Sequence, residues 1–327
     1  MPEIIFVIVI VALLFEISNG WNDAANAIAT VVSTRVLTPF QAVILAAIMN
    51  ALGALVSTAV AKTIGKGIVD PNQITDIVII SALIAGFLWN GAMTFAGLPV
   101  SASHALIGSV MGAGLAFGGI EILNLAGLKK IFAALITSPI LGIFVGFYFM
   151  KLILKLFGQL SPGTINKHFG RLQILSSSLM AFSHGSNDAQ KVMGVITLAL
   201  FTRKLIPSDH VPLWVILICA FAMGLGTAMG GWRVIKTLGV NMLKLEPVHG
   251  FAAETSAAGI IFGASALGLP VSTTHVISTC IMGVGATRRL SAVKWGIAGK
   301  ILMAWIFTLP ACIILAYVVE KILSGIM

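Results

Sequence analysis

Charge is scarce in this sequence. Only 9% of its 327 residues are Asp, Glu, Lys or Arg, against roughly 25% in an average soluble domain, and that shortage excludes an ordinary water-facing fold. Cysteine is equally sparse. Cys219, Cys280 and Cys312 stand alone within apolar stretches, without the paired spacing of a disulfide framework or a metal site, so they read as packing residues. No dense ligand motif of the HExxH kind occurs, which argues against a membrane-embedded metalloenzyme. No polar stretch is long enough to form a soluble domain of useful size.

Apolar residues make up 58% of the chain. Apolar stretches recur at about 4–18, 40–60, 75–96, 131–150, 211–229 and 298–319, each near the roughly 20 residues that cross the hydrocarbon core of a bilayer. The start, Met1-Pro2-Glu3 followed by Ile4 to Leu14, lacks the basic opening and small-residue cleavage site of a secretory signal and reads as a retained first helix. The chain is expected to be a multi-pass protein of the cell membrane. Its net charge of +9 sits in short connections such as Lys62 to Lys66, Lys129-Lys130, Arg203-Lys204 and Arg288-Arg289. Basic loops of this kind meet anionic lipid headgroups, so the lipid bilayer, not nucleic acid, is the expected partner.

The chain repeats itself, as secondary transporters commonly do. Gly20-Trp21-Asn22-Asp23-Ala24 returns as Gly185-Ser186-Asn187-Asp188-Ala189, an offset of 165. Lys62-Thr63-Ile64-Gly65 returns as Lys236-Thr237-Leu238-Gly239, offset 174. Gly97-Leu98-Pro99-Val100-Ser101-Ala102-Ser103-His104 returns as Gly268-Leu269-Pro270-Val271-Ser272-Thr273-Thr274-His275, offset 171. Three collinear matches define an N-terminal repeat, 1–157, a linker, 158–170, and a C-terminal repeat, 171–327. The expected fold is all-α and polytopic, with two inverted structural repeats, broken or re-entrant helices and about 10–12 transmembrane segments.

Two breaks per repeat are expected. Ser18 to Asp23 interrupts the apolar pattern of the opening helix, and Gly97-Leu98-Pro99 stops the segment ending at Ala96, after which a shorter apolar run starts near Ser103 under a Ser or Thr cap. Unwound backbone at membrane depth leaves N–H and C=O groups that protein, water or a ligand must satisfy. Transporters use such places to bind cations on freed carbonyls and anions on helix N-termini.

Asp23 and Asp188 are acids within apolar sequence, and an acid at the bilayer centre costs at least about 2.5 kcal/mol. With Asn22 and Asn187 beside them, each repeat offers a carboxylate, an amide and backbone oxygens, the hard ligands that suit sodium. Asn22 and Asn187 are also candidates for binding a small oxyanion, together with the hydroxyls of Ser101, Ser103, Ser272, Thr273 and Thr274 and the side chains of Gln190 and Lys191. Lys191 either neutralises Asp188 or contacts the anion directly. Glu254, in the apolar run 250–266, is a further candidate on the cation path, and Glu16, one turn before the first motif, is placed to face the same cavity. His104 and His275 read as hydrogen-bonded supports behind the site.

The motifs GWNDAANA (20–27), GSNDAQKVMG (185–194), LPVSASH (98–104), LPVSTTH (269–275) and GFAAETSA (250–257) resemble those of the inorganic phosphate transporter (PiT) family over essentially the whole chain. The resemblance implies a homodimeric inverted-repeat transporter that carries phosphate with sodium or protons. It also implies roles for Asn22, Asp23, Asn187 and Asp188 on the signature motifs and for Glu254 on an acid implicated in transport. Gln190-Lys191, and Asn50 where animal members have Glu, match the microbial branch, and the family includes sulfate carriers.

Charge accounting points to cation coupling. Moving a dianion inward against about 100 mV costs about 4.6 kcal/mol, at about 2.3 per charge. Two carboxylates and hydrogen phosphate together bring about four negative charges into low dielectric. At least two sodium ions are therefore expected beside phosphate. No organic cofactor and no enzymatic activity are expected. The alternatives are proton-coupled transport of phosphate or metal phosphate, and sulfate transport; a channel would need a continuous lined pore instead.

Overall fold

The computed structural model describes residues 2–208 and 210–326, and among them the chain is helical with no β-strand. The first repeat contains α1 (Pro2–Ser33), α2 (Pro39–Ala54), α3 (Ala59–Gly67), α4 (Asp76–Ala96), α5 (Ala102–Gly118) and α6 (Leu125–Phe157). The second contains α7 (Pro162–Thr202), α8 (Leu213–Met229), α9 (Trp232–Lys236, continued by a π turn at Thr237–Asn241), α10 (Pro247–Ala266), α11 (Thr273–Arg288) and α12 (Trp295–Ile326). The same succession of long, medium and short helices thus occurs twice. Helix α7 starts at Pro162, so most of the 158–170 stretch is its opening turns.

Local signals set the boundaries in matching pairs. Thr38 closes a capping box with Gln41 ahead of Pro39 at the start of α2, which satisfies two orphan backbone groups at once. Gly97 ends α4 at φ 72° and Gly268 follows α10 at φ 68°, 171 residues later. That left-handed turn is open to glycine at no steric cost. Ser101 caps α5 by accepting from the His104 N–H, and Ser272 caps α11 by accepting from the His275 N–H. The expected break between Ala96 and the shorter following helix is present in both repeats.

The expected break at the Gly-x-Asn-Asp motifs is not. Helix α1 runs unbroken through Ser18–Asp23, and α7 runs unbroken through Gly185–Asp188. The glycines serve another purpose. A Cβ on Gly185 would overlap the Asn50 carbonyl oxygen of α2, and one on Gly20 would press on the Met223 carbonyl oxygen of α8. They let neighbouring helices approach closely, and nothing in the backbone unwinds. The sharp bends lie instead between α2 and α3, at 72°, and between α8 and α9, at 63°.

Two apolar clusters form the interior. One gathers Ile8, Ala12 and Phe15 of α1 with α3, α4, α5 and the end of α7, from Ala189 to Leu200. The other gathers Ala25 to Val31 of α1 with Met180 and Ala181 of α7, α10 and α11. Helix α1 therefore passes from the first cluster to the second while α7 passes from the second to the first. Contacts are reciprocal too: α1 packs on α8 and α7 on α2, α5 packs on α12 and α11 on α6. Antiparallel counterparts with exchanged partners are the arrangement of an inverted repeat.

Five helices among the described residues are long and apolar enough to cross a membrane, or up to seven spans if each bent pair counts as one. Phe6, Phe40, Phe221 and Ile306 are exposed at 68, 74, 71 and 65%, an apolar exterior suited to lipid. The polar residues are inside, along the middle of α1 and α7, where the two clusters meet.

Candidate functional site

Continuity of α1 and α7 is what builds the site. Residues three, four and seven apart share one helix face, so α1 presents Asn19, Asn22, Asp23 and Asn26 as a stripe and α7 presents His184, Asn187, Asp188 and Lys191. None of the eight is more than 1% exposed. Each stripe is braced the same way by the fourth helix of its own repeat, α4 or α10. Asn22 Nδ2 donates to Thr94 Oγ1 at 2.7 Å, and Asn187 Nδ2 donates to Ser265 Oγ at 2.9 Å.

The start of α11 reaches both stripes. The Thr274 hydroxyl lies 2.8 Å from Asp23 Oδ1 and accepts from Asn26 Nδ2 at 3.0 Å, while the Thr273 hydroxyl donates to Asp188 Oδ2 at 3.2 Å. The N-termini of α5 and α11 interlock through the extended segments before them. Ser103 Oγ donates to the Val271 carbonyl at 2.8 Å, and Thr274 Oγ1 is 3.1 Å from the Val100 carbonyl. The N-terminus of α11, a source of backbone N–H groups and partial positive charge, thus meets both carboxylates through Thr273 and Thr274, with that of α5 locked beside it.

Behind the hydroxyls, the His104 and His275 rings lie 4.6 Å apart, and His275 stacks on Trp305 at 3.8 Å. Trp305 in turn donates to the Pro99 carbonyl at 2.9 Å. His104 Nδ1 is 2.8 Å from the Ser101 hydroxyl. Of the two rings expected as hydrogen-bonded supports, His104 makes this hydrogen bond, whereas His275 is held by stacking and its Nε2 has no hydrogen-bond partner among the described residues.

His184 occupies the centre. The Thr227 hydroxyl donates to the Met223 carbonyl, so it accepts from Asn50 Nδ2 at 2.9 Å, and Asn50 Oδ1 is left to accept from His184 Nδ1 at 2.8 Å. The other ring nitrogen, Nε2, therefore faces Asp23 Oδ2 at 3.7 Å and Asp188 Oδ2 at 3.6 Å. Asp23, His184 and Asp188 together offer ligand atoms all within 4.8 Å of one another. Lys191 Nζ contacts Asp188 Oδ1 at 2.6 Å and the Val271 carbonyl at 3.2 Å.

Not every expected residue joins this cluster. The Gln190 oxygen accepts from the Val60 and Ala61 N–H groups at 2.7 and 3.3 Å, so its amide caps the start of α3. Glu254 forms a separate group, with its carboxylate accepting from Thr30, Ser176 and Gln173. Thr30 is seven residues beyond Asp23, about 10 Å along α1 at 1.5 Å per residue. Glu16 is buried one turn before Asn19, whose Nδ2 donates to it at 3.5 Å. Sequence reasoning passed over His184, Asn19, Thr94 and Ser265. The signal was present: 184 lies 165 residues after 19, and 265 lies 171 after 94, inside the repeats already matched.

Residues 19–316 match the model of the phosphate transporter family. The chain belongs to the phosphate transporter family. It is 48% identical to a "probable low-affinity inorganic phosphate transporter" of Bacillus subtilis, over 98% of this chain and 97% of that protein. It is 45% identical to a Rhizobium meliloti protein of the same description, over 94% and 93% respectively. Among solved structures, one described as the sodium-dependent phosphate transporter superposes with a TM-score of 0.92 at 27% identity, covering 99% of this chain and 100% of that one. This phosphate transporter family member is thus a multi-pass transporter of the cell membrane, as its composition leads one to expect.

Proposed function

We propose that this transporter imports inorganic phosphate together with sodium ions, by alternating access around the polar centre between its two repeats, 1–157 and 171–327, joined at 158–170. One observation carries the reading. Oδ1 of Asn19, Asn22 and Asn26 and Oδ2 of Asp23 are buried with no hydrogen-bond partner among the described residues. Unmet buried acceptors cost about 1–3 kcal/mol each, and these four, spread over about 10 Å of one helix face, offer hard oxygens to more than one sodium ion. Asp188 and Asn187 are further proposed cation ligands, and Glu254, in its own group beside Thr30, is proposed as a separate station on the cation path.

Phosphate is assigned to the adjoining space under the α5 and α11 N-termini. Ser101, Ser103, Ser272, Thr273 and Thr274, with Asn22, Asn187 and Lys191, are the proposed contacts or supports, while Gln190 stands apart with its amide on the start of α3. Lys191 Nζ spends two of its three N–H groups on Asp188 and Val271, which leaves one for an anion. The sodium-dependent phosphate transporter with the matching fold supports the choice of cation. A homodimer is proposed from the family resemblance, and the mass of the protein in detergent tests it.

A second reading has its own support. His184 Nε2 has no hydrogen-bond partner among the described residues and faces both carboxylates, and an imidazole with two carboxylates also suits a proton or a divalent metal. Proton-coupled phosphate or metal-phosphate transport is that alternative. Uptake of labelled phosphate into liposomes holding the pure protein separates the two. Sodium gradients are expected to drive accumulation beyond what potassium or proton gradients do, and excess sulfate is expected to leave it unchanged. Uptake indifferent to sodium overturns the coupling, and preference for sulfate overturns the substrate.

A further inference from the structure

The two stripes are copies of one motif, yet their last positions differ. Asn26 closes the stripe on α1, and Lys191, 165 residues later, closes the one on α7. On α1, four oxygens have no partner among the described residues: Asn19 Oδ1, Asn22 Oδ1, Asp23 Oδ2 and Asn26 Oδ1. On α7 the matching acceptors are engaged. Asn187 Oδ1 accepts from the Val271 N–H at 3.3 Å, Asp188 Oδ2 from Thr273 at 3.2 Å, and Asp188 Oδ1 from Lys191 Nζ at 2.6 Å.

The ammonium of Lys191 is seated as a small hard cation would be. Its oxygen contacts are a carboxylate and the carbonyl of Val271, which lies in the extended segment before α11. Lysine carries its charge as a compact point on a flexible stem, so one turn of helix brings it back onto Asp188. Among the described residues Glu16 has no comparable partner, since it accepts from the neutral amide of Asn19. The positive charge inside this site is concentrated on the α7 half.

We propose that Lys191 is a tethered cation that takes the place of a mobile coupling ion at Asp188, so that mobile cations bind on the α1 stripe around Asp23. The inference rests on the reading of this protein as a cation-coupled phosphate transporter. It revises the count of mobile ions, because one of the two motif carboxylates is neutralised from within the chain. It also has a transport consequence. A tethered charge returns with the empty carrier and adds nothing over a full cycle, whereas a mobile ion is delivered and adds one charge.

The test compares wild type, Lys191→Asn, which installs the residue of the first repeat, and Lys191→Arg, all in liposomes with fixed sodium and phosphate gradients. The membrane potential at which labelled phosphate flux reverses gives the charge moved per phosphate. Lys191→Asn is expected to move one more positive charge per phosphate than wild type, and Lys191→Arg the same number as wild type. An equal count in wild type and Lys191→Asn overturns the tethered cation; if phosphate affinity alone falls, Lys191 is an anion contact. The charge count reads any coupled cation, so a wild type that couples to no cation overturns the proposed function instead.

Should Lys191→Asn not transport, bound radioactive sodium is measured on the purified protein, where one more ion than in wild type is expected and no extra ion overturns the proposal. Should it be too unstable for that, its melting temperature is followed against sodium and against choline. Recovery specific to sodium is expected, and equal response to both salts overturns it.

Discussion

Asn50 on α2 and His184 on α7 are joined side chain to side chain, Oδ1 to Nδ1, at 2.8 Å. The bond turns the opposite ring nitrogen toward Asp23 and Asp188, so a residue outside both signature motifs sets what those motifs meet. Asn50→Leu removes the acceptor while keeping the bulk. Its melting temperature should fall by the equivalent of about 1–3 kcal/mol, the cost of one unmet buried polar group. The concentration of sodium needed for half-maximal uptake should rise about 10-fold to 100-fold, the usual effect of losing a partner behind a cation ligand. Wild-type sodium dependence in Asn50→Leu would count against the orienting role.

The two motif aspartates should not respond alike. Asp188→Asn leaves the Lys191 ammonium buried without its carboxylate, and breaking a buried pair by removing one partner costs about 3–5 kcal/mol. Asp23 has an oxygen with no hydrogen-bond partner among the described residues, so Asp23→Asn should cost little stability and mainly abolish cation dependence. Thermal melts of the two variants, read with uptake at varied sodium, check the contrast. Equal melting temperatures would remove the asymmetry.

Glu254 accepts from Thr30, Ser176 and Gln173, all three of them neutral donors. Glu254→Gln turns an N–H₂ toward that ring of donors, and about 1–3 kcal/mol of stability is expected to go with it. Thr30→Val removes one donor only and should be milder. If both variants transport and melt as wild type does, the cluster is neither structural nor on the cation path.

Gly185 is expected to be intolerant. The Cβ of Gly185→Ala would overlap the Asn50 carbonyl oxygen, whereas a Cβ at Gly91 has nothing within 4 Å. Overpacking at a close helix contact costs about 1–3 kcal/mol, so Gly185→Ala should melt lower than Gly91→Ala and lose uptake through the displaced Asn50–His184 pair. Gly91→Ala serves as the control and should match wild type in uptake.

Much of the scaffold is legible in the residues alone, because its signals are local. Gly97 and Gly268 stop helices, Ser101 and Ser272 start the next ones, and matched offsets pair the repeats. The interruption expected at Ser18 to Asp23 failed for a physical reason. Polar residues at helical spacing break the apolar pattern without breaking the helix, since their side chains point into a polar centre instead of into lipid. Glycine in the same motif looks like a helix breaker when read alone, and only the neighbour's backbone shows that it is a close contact.

The sequence by itself determined that this chain lives in a bilayer, that it is two copies of one unit, and that Asn22, Asp23, Asn187 and Asp188 are its unusual buried polar groups. Those facts follow from composition and from matches along the chain. Only the tertiary structure decided that His184 stands between the two carboxylates and that Lys191 fills one side and leaves the other open. Both depend on distances between residues far apart in the chain: Asp23 and Asp188 come to one centre because α1 and α7 cross the same two apolar clusters in opposite directions. The repeat is therefore visible in one dimension, while its asymmetry acquires a chemical meaning only in three.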